Sequence, residues 1–500
     1  MALIQAAELP ALTQPVIIIV AVAYFLVVAV IGAWATSRTR TARDFFVAGK
    51  GIGLWALTLS AMSATLSGFT FIGGPGLMYT IGLGAMFISL STSVTGAMAA
   101  WVLAKRMRLL AELRGLITVP DAIGARYRSP LAQGLSAVAM LIAIVGYMGT
   151  NILALGLVIH AIFGTGVGLG IWLGMGITLA YSVAGGIVAG IYTDVFQGAL
   201  MATASVLVFL TALEVGGGLP EISRTIMAAD PDFLGPWGVL APMTALSFFF
   251  VFGVGSLGQP HVIHKFYMLR DPRRLKWFPL AMTSAMLVTN LLFFGVGIAV
   301  RSLVAGGELA PLASPDLATP TFLLQFTPLL LAGLVFAGVA AAIMSTVNSF
   351  MNIGAAALTH DIPVALGFRV PNELFWGRIS TVAISVLAAL LAQMSGTLVA
   401  FLGIFGFGLF ASALVPALAI GLNWPGATRQ GAIASIATGI AITLAGETLG
   451  YLGAYSLPMG ITVSGMALVM SFIAFFVVSR LTRPLDGPDL DPDVRLAMEI

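Results

Sequence analysis

The sequence predicts an all-α protein threaded repeatedly through a membrane, on three observations: composition, the length of its apolar runs, and the placement of its basic residues. The 500 residues are 59% hydrophobic and 9% charged, against about 25% charged in a soluble globular chain. No soluble fold covers so much apolar surface, which excludes a soluble enzyme. A spanning helix takes about 20 apolar residues. About 13 such stretches can be marked, near 15–35, 52–79, 82–104, 130–159, 166–187, 189–215, 239–262, 277–301, 321–357, 376–395, 397–422, 430–450 and 457–479. Of the 23 Lys and Arg, all but Arg224 and Arg301 fall in alternate loops and the C-terminal tail. Basic residues are retained on the cytoplasmic side. The N-terminus is therefore expected outside and the C-terminus in the cytoplasm, with the chain in the plasma (inner) membrane.

The segments follow in order. The first apolar run is too long for a signal-peptide core and reads as a retained span. The loops at 214–238 and 301–319 hold most of the acids on the outer side. The tail from Leu481, with Pro484, Pro488 and Pro492 among acids, reads as a disordered end. No soluble domain is visible, so residues 1–500 form a single membrane domain. Cys is absent, so there are no disulfides or thiolate sites. The net charge of +3 is small and its basic residues are topology signals, so no nucleic-acid partner is expected. No GxxxxGK[ST] loop suggests ATP-driven transport, and the four His are scattered.

Four stretches interrupt the apolar pattern. "SAMSATLSGFTFIGGPGLMY", 60–79, carries Ser60, Ser63, Thr65, Ser67 and Thr70, and its Gly73–Gly76 run reads as the break in the helix. Unpaired backbone persists in a membrane only where it is buried in protein or lines a cavity. There it exposes carbonyls and helix ends suited to a hard cation beside an organic solute. The competing reading is close helix packing by small residues. "AAAIMSTVNSFMNIGAAALTHD", 340–361, sets Ser345, Asn348 and Ser349 on one helical face with Thr346 on the adjacent strip. Back-bonding to carbonyls one turn earlier would absorb its hydroxyls but not the Asn348 amide.

Asp194 is the one acid clearly inside an expected span, and an intramembrane carboxylate is a functional candidate. The alternative is an N-cap just after a break at Gly185–Gly186. "FFFVFGVGSLGQPHVIHKF", 248–266, loosens a second span with Gly253, Gly255, Gly258 and Pro260. Counted from spans 2 and 7, the two loosened spans open successive groups of five, a pattern that marks the binding site of inverted-repeat transporters. No Lys or Arg is expected inside a core span.

These residues resemble the sodium:solute symporter family, in its proline and pantothenate branch. "RDFFVAGKGIGLWALTLS", "SGFTFIGGPGLMY", "YSVAGGIVAGIYTDVFQG", "GQPHVIHKFYMLRDPRR" and "AAIMSTVNS…ALTHD" are similar to family motifs in the family's order, over about Asp44–Arg480. The resemblance implies a LeuT-type core of two inverted five-helix repeats, about 52–215 and 239–422, with one helix before (15–35) and two after (430–450 and 457–479). It implies Na+ as the coupling ion. Carried over, the sodium site uses the carbonyls of Ser63, Leu66 and Ala342 and the hydroxyls of Ser345 and Thr346, all hard oxygens. A second sodium site maps to Asp194, Ser345, Asn348 and Ser349, with Asn348 where Ser is frequent. Solute contacts map to Ser67, Thr70, Tyr147, Phe252, Ser256 and Gln259. Two positions depart from proline-type members. Thr65 stands where they carry Asp, and Phe252 and Ser256 where they carry Trp and Tyr, so proline specificity does not transfer.

The expected activity is sodium-coupled import of a small organic solute (an amino acid, a pantothenate-like acid or a monocarboxylate) by alternating access, by a monomer in the lipid bilayer and without enzymatic chemistry. The alternatives are a proton-coupled symporter using Asp194, a solute sensor, and a channel.

Overall fold

The computed structural model describes residues 14–36, 53–268, 272–395, 399–453, 457–483 and 490–499, and the surroundings of 184–190 lie outside that description. The described residues contain helix and no strand. The principal helices are α1 (Pro15–Thr36), α2 (Leu54–Thr65), α3 (Gly74–Ile81), α4 (Met86–Ala99), α5 (Pro130–Phe163), α6 (Val167–Val215) and α7 (Pro242–Gly255). They continue as α8 (Phe278–Ala305), α9 (Leu329–Ala356), α10 (Glu373–Met394), α11 (Val399–Val415), α12 (Arg429–Tyr451) and α13 (Val463–Leu481). Ten described helical stretches are long and apolar enough to cross a membrane, and Pro15–Ile31, Leu54–Thr65 and Val167–Ala180 are shorter apolar helices.

Local chemistry sets many helix starts. Ser129, Thr428 and Thr462 each stand just before a helix and accept a backbone N–H of its first turn, satisfying a donor that the helix leaves orphaned. Pro130 follows its cap at the first helical position, where proline has no N–H to lose. Burial then sorts the bundle. The most apolar windows of α5 and α9 are 89% and 83% buried, that of α12 only 28%, so α5 and α9 form the centre and α12 lies at the edge. Edge helices turn large apolar residues outward, among them Leu387, Phe401, Met470 and Ile473, as a hydrocarbon-facing surface requires.

The backbone is helical through the whole of α6, including Gly185–Gly186, where a break was expected. Asp194 therefore sits inside a helix and is not an N-cap. The tail also differs from expectation. Pro492–Met498 is a helix whose Val494 and Ala497 are buried, and Arg114 pairs with Asp491 and Asp493. Apolar anchoring plus ion pairing holds what composition alone reads as disordered.

Both loosened spans are interrupted, but the first not where its glycines suggest. α2 ends at Thr65 and Leu66 is extended, at φ −80° and ψ 115°. A π-helical turn, Phe69–Gly73, then leads straight into α3. Gly73, Gly74 and Gly76 are thus helical and serve close approach. A Cβ on Gly74 would stand 2.1 Å from the Phe293 ring, and one on Gly76 2.6 Å from the Pro315 carbonyl oxygen. In the second span α7 gives way to a 3₁₀ turn at Ser256–Gly258, Gln259 is extended, and Pro260–Ile263 resumes the helix.

Candidate functional site

The first break leaves the last carbonyls of α2 without helical partners, and α9 crosses beside them. Thr346 Oγ1 lies 3.0 Å from the Ala64 carbonyl oxygen, 3.2 Å from that of Leu66 and 3.1 Å from that of Ala342. Three acceptors thus converge on a hydroxyl with one proton to donate. Around a hard cation with oxygens at 2.3–2.6 Å, neighbouring octahedral ligands stand roughly 3.3–3.7 Å apart, somewhat wider than the hydroxyl-to-carbonyl distances here. Of the expected carbonyls, Leu66 and Ala342 reach this point. Ser63 turns its hydroxyl to Met201 Sδ at 3.8 Å, and the other α2 carbonyl on Thr346 is that of Ala64. Ser345, next on α9, donates to Asp194 Oδ1.

Asp194 is 1% exposed. Its Oδ2 accepts from Ser60 Oγ at 2.6 Å and from Lys265 Nζ at 2.7 Å. The Lys265 ammonium also donates to the Ser60 carbonyl and hydroxyl oxygens, both at 2.6 Å. Lys265 is 2% exposed, so the expectation of no basic residue in the core is corrected. The helix resumes after Pro260 and carries Lys265 inward, where a hydropathy window ends the span near 262. Of the residues expected in a second sodium cluster, Asp194 and Ser345 meet. Asp194 and Ser345 are engaged with the ammonium's neighbourhood, while Asn348 accepts from Asn352 Nδ2 through its carbonyl at 2.8 Å and its side-chain oxygen at 3.2 Å. Ser349 is buried on the same helix.

Beyond the break lies a narrow cavity of about 30 Å³, room for roughly one water. Phe69, Phe252, Phe293 and Phe407 form its apolar walls, and Thr65, Thr70, Ser89, Thr92, Tyr147, Asn290 and His261 supply polar groups. Phe252 stacks on Phe407 at 4.4 Å and on Phe69 at 5.8 Å, joining the two interrupted spans to α11. Thr70, Tyr147 and Phe252 of the expected solute contacts line this cavity. Ser67 stands just behind, its hydroxyl 3.2 Å from the Tyr147 hydroxyl. Ser256 and Gln259 are directed elsewhere. Ser256 donates to the Phe252 carbonyl at 2.8 Å, and Gln259 Nε2 to that of Gly255 at 3.2 Å, because their turn has freed those carbonyls.

Sequence reasoning missed several residues here. Asn151 Oδ1 accepts from Gly68 N–H at 2.8 Å, capping the segment that resumes after the break. Asn290 bridges to Ser93 Oγ at 2.7 Å. An Asn inside an apolar run was the available signal in both cases. His261 lines the cavity against Phe350 with Nδ1 buried and unpartnered among the described residues.

Polar contacts also tie the two ends of the bundle. At one end, Thr319 Oγ1 donates to the Phe71 carbonyl at 2.7 Å, and Asp316 Oδ2 accepts from Val399 N–H at 2.9 Å. Asp316 lies outside the spanning stretches, and burial pushes its carboxyl up to about 6 against the lowering effect of that N–H. At the other end, which carries the basic loops, Tyr267 donates to the Thr118 carbonyl at 2.7 Å and Thr118 donates to Asp361 at 2.5 Å. His360, next to Asp361 in sequence, meets Asp121 there at 3.1 Å. Asp121 is already held by Gln133 and the Ile117 N–H, so the cluster reads as a structural ion pair.

The sodium:solute symporter family model matches residues 45–439. The chain belongs to the sodium:solute symporter family. It is 28% identical over 478 residues to the osmoregulated proline transporter OpuE of Bacillus subtilis (strain 168), covering 92% of this chain and 94% of that one. It is 27% identical over 481 residues to the sodium/pantothenate symporter of Escherichia coli (strain K12), covering 93% and 96%. A Na+-coupled sialic acid symporter has the same fold, with a TM-score of 0.77 at 20% identity over 94% of this chain and 98% of that one. Family and relatives are transporters rather than enzymes, and the fold is the LeuT type that the motifs imply.

Proposed function

We propose that this symporter imports a small organic solute with sodium by alternating access, as a monomer in the plasma membrane with its basic loops in the cytoplasm. The observation that carries this is the convergence of the Ala64, Leu66 and Ala342 carbonyls on the single hydroxyl of Thr346. Sodium held there by neutral oxygens, with Ser345 adjoining, would fasten α2 to α9 and so shape the cavity just beyond the break. Binding of ion and solute then favour one another reciprocally. At −100 mV one entering charge adds about 2.3 kcal/mol. The core would comprise two five-span repeats, about 52–215 and 239–422.

The cavity offers hydroxyls, an amide and an imidazole beside four phenylalanines, and no Lys or Arg lines it. That supports a monocarboxylate or zwitterion with a compact apolar body, such as an amino acid or a pantothenate-like acid. Its carboxylate would meet neutral donors and helix N-termini. Asp194, which a proton-coupled cycle would titrate, is paired with Lys265, and this favours sodium.

The test is thermal unfolding of the purified chain in sodium and in potassium against a panel of amino acids and small carboxylates. A bound solute at 100 times its Kd stabilises by about 2.7 kcal/mol. A shift seen only in sodium is the expected result. A shift equal in both salts would overturn sodium coupling.

A further inference from the structure

We propose that the Lys265 ammonium is the resident occupant of this chain's second cation position, so that the protein binds one sodium ion where Asp194 would otherwise recruit two. The proposal rests on the sodium reading above and goes beyond it by assigning the stoichiometry to a named residue.

The argument begins with donors and acceptors. An ammonium has three N–H groups and no acceptor. Lys265 Nζ has three oxygen partners within 2.6–2.7 Å: the Ser60 carbonyl, the Ser60 hydroxyl and Asp194 Oδ2. All three protons are used, and all three partners are hard oxygens of the type that would ligate sodium. The second carboxylate oxygen, Oδ1, is taken by Ser345. Three of the carboxylate's roughly four acceptor sites are thus taken.

Charge gives the same result. A buried carboxylate needs a compensating cation, and one ammonium at 2.7 Å neutralises it. Sodium added to this neutral cluster would leave an uncompensated positive charge beside an ammonium. Of the other residues expected there, Asn348 accepts from Asn352 Nδ2 through its side-chain oxygen. The first position is different in kind, because its convergent carbonyls carry no fixed cation nearby within hydrogen-bond reach.

The ammonium also ties moving parts. Ser60 lies on α2, Lys265 follows the resumed second broken helix, Asp194 lies on α6 and Ser345 on α9. The ammonium therefore joins the second interrupted span to α2 and α6, and Asp194 carries the link on to Ser345 of α9. Ser345 donates to Asp194 and precedes Thr346 on α9, so the two positions are adjacent along that helix.

The experiment is equilibrium binding of radioactive ²²Na⁺ to the purified full-length chain, with potassium as the counter-salt and no solute required. The parent chain is expected to bind one sodium per chain. Lys265→Met removes the ammonium and keeps an unbranched chain, so it is expected to bind two. Lys265→Met with Asp194→Asn removes the demand for a cation and is expected to return to one. Two sodium ions on the parent chain would overturn the proposal, and this count decides even if Lys265→Met fails to fold. A folded Lys265→Met that still binds one also overturns it. No sodium on the parent chain would instead overturn the sodium reading itself, a failure distinct from a wrong count.

Discussion

The two proposed cation positions meet α9 at neighbouring residues, Thr346 and Ser345, and they are built in opposite ways. Around Thr346, neutral carbonyl oxygens converge with no carboxylate among them. Around Asp194, one turn of chemistry away through Ser345, a full negative charge is met by a full positive charge from Lys265. The first arrangement can bind and release an ion, because neutral oxygens lose little when the ion leaves. The second cannot release its cation, because that cation is covalently part of the chain. On the proposed reading, a reversible coupling site and a permanent clamp thus differ chiefly in whether the counter-charge is tethered.

Removing the tether has the largest expected effect on that contrast. In potassium, Lys265→Ala leaves Asp194 buried and unpaired, and should lower unfolding stability by about 3–5 kcal/mol. Restoring neutrality with Asp194→Asn should recover most of this in circular-dichroism melts. Equal melts for Lys265→Ala and the parent chain would mean the pair is no clamp.

The next test concerns Asp316, which has no cationic partner among the described residues. Burial raises its carboxyl from 3.8 to about 6, so the folded chain favours the neutral acid. Its contribution is present in full below pH about 4 and is lost as pH rises through about 6, on the order of 3 kcal/mol. Asp316→Asn should flatten the Tm profile across that window. An unchanged slope would exclude Asp316 as its source.

A smaller loss is expected at the neutral position itself. Ser345→Ala with Thr346→Ala should raise the sodium concentration for half-maximal stabilisation about 30-fold, or roughly 2 kcal/mol. Unchanged sodium dependence would move the ion elsewhere. The smallest effect is expected at Asn151→Ala, which leaves the Gly68 N–H without its acceptor. The expected cost is about 1–2 kcal/mol, read as a lower Tm in either salt.

Particular residues mark how far the sequence is legible. Ser345, Thr346 and Asp194 stand out because polar groups inside an apolar run are costly and therefore informative. The GQPH segment correctly announces a break, since Pro260 cannot continue the hydrogen-bond ladder of α7. Gly73–Gly76 mislead because glycine serves both turns and close packing, and only the position of Phe293 and Pro315 distinguishes the two. The tail helix is hidden because its anchor, Arg114, lies 377 positions away in the chain.

Composition, apolar run length and the alternation of basic loops are local properties, so the sequence by itself determined a helical, membrane-spanning chain with two weakened spans. The motifs carried along those spans determined the family. Lys265 shows what remained for the tertiary structure to decide. In sequence it belongs to a run of basic residues and reads as one more loop charge. Its partners, Ser60 and Asp194, are 205 and 71 positions distant. Only the packing of four separate helices brings one ammonium and one carboxylate to 2.7 Å, and electrostatic pairing depends on distance through space, which separation along the chain does not encode.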